Sequence, residues 1–375
     1  MIYLDNASTT HIKPKSVIRN VNLALTKYSV NAGRGGYKLS IDAGNIVLDT
    51  RIKLAQMFNV PTPTNVIFTA SCTAAINAAI KGTIKPKGHI IATCFEHNSV
   101  LRTLDYVKCN YDIDYTIVQP NSDGEITSDE IEKAITDKTY MVITIHSSNV
   151  TGITQDIAAI GTMCKKHGLI YMVDCAQSAG HIKIDMQNEN INLVTLAGHK
   201  GLYAPQGVGV LLINNVTVLP TTTGGTGTFS SSTVQPTDLP EGLESGTLAL
   251  PNIMGLKAGI EYIGNNFDKI SQIINKLTAK TIQKLQAIPN VVVYSKYNDV
   301  GVVSFNIVGI SSSEVATALF ERYGICVRSG LQCAPLIHKY HKTLQQGMVR
   351  VSYSAFNTLG EVDRLIEAVR QIAKS

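Results

Sequence analysis

Apolar runs alternate with helical patterns through the first two thirds of the chain. NVIFTA, HIIATCFE, TYMVITIHSS, LIYMVDCA, NLVTLAGHK and GVGVLLI each read as a short strand. Between them, the spacing predicts a helix from Thr73 to about Lys81 and another from about Ile157 to His167, ending before Gly168. Strands alternating with helices imply an α/β fold with a mainly parallel sheet covered on both faces. The apolar runs end in small or polar residues: Ser71-Cys72-Thr73, Glu96-His97-Asn98, Asn149, Asp174-Cys175-Ala176-Gln177 and His199-Lys200. In open α/β sheets a site forms at the carboxyl ends of the strands, so these residues are the candidates for chemistry.

Beyond about Pro251 the pattern changes. A long helical stretch covers the 250s to 280s, followed by strand-like VVVY and VGVVSFNIV and a helix from near Ser313. ICVRSG and MVRVSYSAF read as further strands, and a last helix opens at Thr358 with Glu361 at capping-box spacing. This predicts a large domain over 14–250 and a smaller α+β domain over 251–375, joined by 1–13. The Gly-, Ser- and Thr-rich stretch from Thr221 to Gly242 is a long loop between them.

Composition narrows the function classes. With 44% apolar and 16% charged residues over 375 positions, the chain can bury a large core. Thirty-three Lys and Arg against 28 Asp and Glu leave a net +5, with no block of like charge, so neither nucleic acid nor membrane is expected as a partner. The opening MIYLDNASTTH lacks the apolar stretch of a signal peptide. Seven cysteines, scattered and without a CxxC pair, fit neither a disulfide framework nor a zinc ribbon. No metal site is expected, and a cytoplasmic location is.

The candidate residues carry specific chemistry. Lys200, in a glycine-rich segment, is an amine able to trap a carbonyl if desolvated; a solvated loop lysine is the plainer alternative. Asp174 at a strand end can hold a pyridinium nitrogen protonated, or simply cap a helix. Ser71-Cys72-Thr73 opens a helix whose amides can cradle a phosphate. His97 can stack on an aromatic cofactor or be structural. Each reading is weak alone, and they gain force from falling on successive strand ends in the order that a pyridoxal-phosphate (PLP) site needs.

The chain resembles the class V, fold type I PLP enzymes, and among them the cysteine desulfurases. The resemblance runs through YLDNASTT, EHNSV, HSSNVTG, VDCAQSAGHIKID, AGHKGLYAPQGVG, SGT, VRSGLQC and MVRVSYSAFNT. It implies a large domain with a mainly parallel seven-stranded sheet. The short connection RSGLQC looks like the branch holding the SUF-type desulfurases and selenocysteine lyases. By this resemblance Lys200 is the Schiff-base lysine, His199 and Thr73 with the Cys72 amide are phosphate ligands, and Asp174 partners the pyridine nitrogen. Gln177 and Asn149 lie near the phenolic oxygen, and His97 stacks on the ring and serves in proton transfer. Thr247 reaches the phosphate of a neighbouring subunit, which implies a homodimer. Arg350 clamps the substrate carboxylate, and Cys333 is the nucleophile with Arg328 just before it. Ala197, Ala74 and Gln332 depart from the serine, glutamate and histidine common there. The implied reaction is conversion of L-cysteine to L-alanine with a persulfide left on Cys333 for an acceptor protein. Selenocysteine lyase, cysteine-sulfinate desulfinase and another class V reaction are the alternatives, with a non-catalytic scaffold of the same fold as a different class.

Overall fold

The computed structural model describes residues 1–122 and 124–374. The strands, in chain order, are β1 (Ile2–Tyr3), β2 (Val66–Thr69), β3 (His89–Thr93), β4 (Asp114–Val118), β5 (Thr139–Ile145), β6 (Ile170–Asp174), β7 (Leu193–Ala197), β8 (Gly209–Ile213), β9 (Val291–Val293), β10 (Val302–Ile307), β11 (Ile325–Cys326) and β12 (Val349–Ser352). The helices are α1 (Lys15–Thr26), α2 (Lys38–Phe58), α3 (Cys72–Gly82), α4 (Asn98–Tyr111), α5 (Ser128–Glu132), α6 (Ile157–Lys166), α7 (Leu250–Gln286), α8 (Ser312–Tyr323), α9 (Pro335–Tyr340) and α10 (Leu359–Ile372).

Seven strands form the main sheet in the order β2-β8-β7-β6-β5-β3-β4. All neighbours are parallel except β8, which runs antiparallel to both β7 and β2. The exception follows from chain length: the connection 198–208 is too short for a crossover helix, so the chain must turn back on itself. The strands inside the sheet read as largely apolar runs because both faces are covered. Ile90 and Ala92 pack with Ile76, Ile80 and Leu104 of α3 and α4, whereas Ile91 and Val142 pack on the opposite side with Ile160 of α6 and Leu256 of α7.

A three-stranded sheet, β12-β10-β9, carries the C-terminal residues, and its register sets Arg350 opposite Ser304. α7 joins the two regions. Near its start, Gly259 lies under the Leu202 carbonyl beside the lysine segment; further on, Thr281 hydrogen-bonds the Tyr353 hydroxyl at 2.6 Å. The N-terminal strand β1 pairs with β11, and Asp5 bridges to Ser352. α10 opens on the capping box of Thr358 and Glu361.

The loop 221–240 has no regular element among its described residues. It is followed by a buried ion pair, Arg51 to Glu244 at 2.5 Å, and Glu244 Oε1 also accepts the Phe68 amide at 2.6 Å. These contacts fix the segment leading to Thr247 against β2. No described helix is long and apolar enough to cross a membrane.

Candidate active site

The turn between β7 and β8 holds Lys200. The Gly198 amide donates to the Val208 carbonyl at 3.1 Å, Ala204 to Gly198 at 2.8 Å and Tyr203 to Lys200 at 3.0 Å. Tyr203 takes a left-handed φ of 57° and is wholly buried. Its ring meets Tyr262 and Phe356 edge-on. Gly201 and Gly180 lie in backbone contact: a Cβ on Gly201 would stand 2.2 Å from the Ala179 carbonyl oxygen, and one on Gly180 would stand 2.4 Å from that of Gly201. This approach presses the lysine turn against the loop that follows β6. Burial lowers the proton affinity of Lys200, opposed by Cys72 and Asp174, aided by the Arg350 charge and opposed by Cys333. All four groups therefore lie within its electrostatic reach.

Asp174 ends β6 and is 1% exposed. Its Oδ1 accepts the Ala176 amide at 2.9 Å and lies 3.7 Å from the Cys72 sulfur. Burial raises its pKa, while the Ala176 amide and the Lys200 charge pull it down. Among the described residues no cation forms an ion pair with it. A carboxylate buried this way costs several kcal/mol unless a cation pairs with it. A protonated ring nitrogen meets that need.

The first turn of α3 opens on the same sheet edge. Ser71 caps it by accepting the Ala74 amide at 3.2 Å, which leaves the amides of Cys72 and Thr73 at the open end. Gly209 permits the placement: a Cβ there would stand 2.2 Å from the Ser71 carbonyl carbon. Among the described residues the buried His199 Nδ1 has no partner, and burial followed by the Lys200 and Lys13 charges brings its pKa to about 4. Asn149 likewise keeps an unpartnered Oδ1. A buried unpaired carboxylate, helix amides and two unpartnered polar atoms are a set of groups that PLP would satisfy.

His97 caps α4, its Nδ1 accepting the Ser99 amide at 3.0 Å. The proton of the neutral ring is therefore on Nε2. Burial, then the Lys200, Arg102 and Arg350 charges, lower its pKa to about 4.

Cys333 is exposed and lies in a tight turn, with φ of 42° at Gln332 and 59° at Cys333. The turn is pinned on three sides. The Asn98 amide donates to the Cys333 carbonyl at 2.7 Å, Asn149 Nδ2 donates to the Gln332 carbonyl at 2.7 Å, and Gln332 Nε2 donates to the Met348 carbonyl at 2.7 Å. Gln332 Oε1 also meets His338 at 3.1 Å, so the glutamine standing where a histidine is common is a structural lock.

Arg350 is 3% exposed. Its Nη1 donates to the Asn149 carbonyl at 2.7 Å, and its Nη2 donates to Asp5 at 2.8 Å and to Ser8 at 2.9 Å. Nε is buried with no partner among the described residues. Arg328 is exposed and pairs through its backbone with Arg350. Gln177 Nε2 donates to the Ala7 carbonyl at 3.1 Å.

Thr247 lines a different cleft from the one that holds His97 and Cys333. It is exposed in a surface cleft with Ala74 and Ala78 of α3, whereas Thr73 and Asn77 of the same helix line a cleft with His97 and Cys333. Ala197 is buried at the end of β7 and offers no hydroxyl.

The sequence reading gave no individual role to Asp5, Ser8 or Lys13. Asp5 and Ser8 hold Arg350, while Lys13 Nζ and Thr10 Oγ1 each donate to the His199 carbonyl at 3.1 Å. Burial lowers the Lys13 pKa to about 8. The signal was the string YLDNASTT itself, whose polar residues crowd directly behind a strand.

A desolvated lysine on a sheet-edge turn, with a buried carboxylate at the end of the neighbouring strand, defines the class of fold type I PLP enzymes. Comparison with known proteins agrees. The family described as Aminotransferase class-V matches residues 2–365. A probable cysteine desulfurase of Methanothermobacter thermautotrophicus is 32% identical over 99% of this chain and 94% of its own. One from Borreliella burgdorferi is 30% identical over 100% and 92%. The apo structure of a cysteine desulfurase from Thermococcus onnurineus superposes with a TM-score of 0.92 at 30% identity, covering 100% of this chain and 94% of that one. The chain belongs to the class V aminotransferases, in the cysteine desulfurase family, whose members are PLP enzymes.

Proposed function

We propose that the protein is a PLP-dependent cysteine desulfurase that converts L-cysteine to L-alanine and takes the sulfur onto Cys333 as a persulfide. The observation that carries this reading is the placement of half-buried Lys200 after β7 beside Asp174 at the end of the paired strand β6, with Asn149 bonded both to Arg350 and to the Gln332 carbonyl next to Cys333. Lys200, Asp174, Arg350 and Cys333 are the base, the cofactor anchor, the carboxylate clamp and the nucleophile that the reaction needs.

Lys200, Asp174, His97, Asn149, Gln177, His199, Thr73 and the Cys72 amide would hold the cofactor, which when bound supplies an electron sink for the substrate Cα. Arg350 binds the substrate carboxylate, its plane fixed by Asp5, Ser8 and the Asn149 carbonyl. Lys200, favoured as the neutral amine by burial, removes the Cα proton. Asp174 holds a proton on the ring nitrogen. The Cys333 thiolate attacks the substrate sulfur: an S–S bond forms, the Cβ–S bond breaks, and protonation at carbon completes alanine. His97, neutral and oriented by Ser99, carries its proton on Nε2 and serves as a proton carrier.

Thr247, exposed in a separate cleft along α3, suits a role at the phosphate of a second copy, and we take the working form to be a two-fold dimer. Residues 14–250 act as the cofactor domain, and 251–375 with 1–13 as the domain carrying Cys333 and Arg350. The protein works in the cytoplasm, and an acceptor receives the sulfur.

The test is to quantify alanine from L-cysteine, L-selenocysteine and L-cysteine sulfinate for the native chain and Cys333→Ala. The reading expects cysteine turnover to fall to background in the variant while selenocysteine is still cleaved, since a selenol leaves without a nucleophile. Undiminished alanine from cysteine in the variant contradicts it.

A further inference from the structure

Cys333 opens onto a cleft between α3 and α4 of about 350 Å³, with Thr73, Asn77, Lys81, Arg102 and Tyr106 among its walls. Its size falls within the range of small-molecule sites. Its charge is one-sided. No Asp or Glu lines it, and among the described residues neither Lys81 nor Arg102 has a carboxylate within ion-pair distance. Lys81 instead sits over the Tyr106 ring, 4.1 Å from its centre, which holds the ammonium on this side of α3. The Arg102 charge reaches far enough to depress the His97 pKa.

The turn bearing Cys333 is also held in place. Its carbonyl is fixed to the first turn of α4, and the preceding Gln332 is bonded through backbone and side chain. A cysteine anchored this way does not carry sulfur outward on a long arm. Whatever takes the sulfur must come in to it, past two cations that have no carboxylate partner among the described residues.

We propose that this cleft binds a small anionic thiol, one bearing carboxylates, as the second substrate that discharges Cys333. The inference rests on the desulfurase reading above and adds the acceptor's chemical class and its site. The incoming thiolate attacks the outer sulfur of the Cys333 persulfide. A new S–S bond forms, the bond from that sulfur to Cys333 Sγ breaks, and Cys333 departs with the electron pair as a thiolate. The product is the persulfide of the small thiol, and no external oxidant or reductant enters. Lys81 and Arg102 bind the carboxylates and favour the thiolate form near them; they are positioning residues for the acceptor.

The experiment loads the holoenzyme by one turnover with L-cysteine, removes excess substrate and follows loss of the Cys333 persulfide by intact-mass spectrometry. Mercaptosuccinate, a dicarboxylate thiol, is compared with uncharged 2-mercaptoethanol at equal thiolate concentration. At low ionic strength the dicarboxylate should discharge the enzyme about tenfold faster, and added salt should erase part of that advantage. The Lys81→Gln/Arg102→Gln pair should load the same amount of persulfide, react with 2-mercaptoethanol at the native rate and lose the preference for mercaptosuccinate. Normal loading with equal discharge by both thiols, or a preference that survives the double substitution, overturns the acceptor site and leaves the desulfurase reading standing. Failure to load any persulfide contradicts both.

Discussion

Asp174 is a buried carboxylate that accepts from the Ala176 amide and the Cys72 thiol, and among the described residues no cation forms an ion pair with it. A protonated ring nitrogen would complete it. Asp174→Asn keeps the shape and removes the anion. We expect the variant to retain PLP by its absorbance while kcat for cysteine falls about a hundredfold, the scale of losing one preorganised electrostatic contact. Near-native kcat would place the partner of the ring nitrogen elsewhere. At this scale the sequence was informative where function concentrates unusual residues at strand ends, as with Asp174, His97 and Lys200. It was uninformative where a residue acts through the fold. Nothing local to Asp5 indicates that Arg350, at the far end of the chain, will lie 2.8 Å away. The capping of α4 by His97 was equally invisible, because histidine is not among the usual caps.

The elements that matter most are the two turns and one helix end brought together at the carboxyl edge of the sheet. The helix end depends on a glycine. Gly209 begins β8 beneath Ser71, and a methyl there would stand 2.2 Å from main-chain carbon and 2.5 Å from the Cys72 nitrogen. Backbone at both sides cannot yield as a flexible side chain would, so α3 must shift. We expect Gly209→Ala to lower stability by about 1–3 kcal/mol, as overpacking does, and to weaken PLP binding. Thermal unfolding of the apo form and a PLP titration measure the two effects, and unchanged values for both would show that the α3 terminus does not depend on this contact. The strands with both faces covered were legible as largely apolar runs. β4 was not, since it lies at the sheet edge and exposes Asp114 and Thr116 in alternation with Tyr115 and Ile117. α1 and α2 also escaped notice. They pack against α7, a partner distant in sequence, and several of their apolar residues, including Ile18, Leu25 and Leu48, stay exposed.

Across the whole molecule, burial determines how stability follows pH. His97, His146, His181, His199 and His338 are each lowered to about 4, mainly by desolvation. Unfolding releases them to their ordinary value of about 6.5, so between pH 4 and 6.5 the unfolded chain binds more protons and stability rises with pH. Glu96, raised to about 8 by burial, acts in the opposite direction, as do Asp174, Glu189 and Glu244, also raised mainly by burial, but these acids are outnumbered by the histidines, since burial lowers His89 and His341 as well. The melting temperature of the apo chain should therefore fall steadily as pH is lowered from 6.5 to 4.5; a flat or rising profile would mean that these imidazoles are not desolvated. The long-range geometry also decides the chemistry, for it joins Lys200 of one region to Cys333 and Arg350 of another. The most direct test of that union is a single turnover of the PLP-loaded enzyme with L-cysteine, followed by peptide mass spectrometry. The account predicts one added sulfur, 32 Da by general chemistry, on the peptide carrying Cys333, in step with one alanine formed per site. Alanine formed at that stoichiometry with Cys333 unmodified would contradict it.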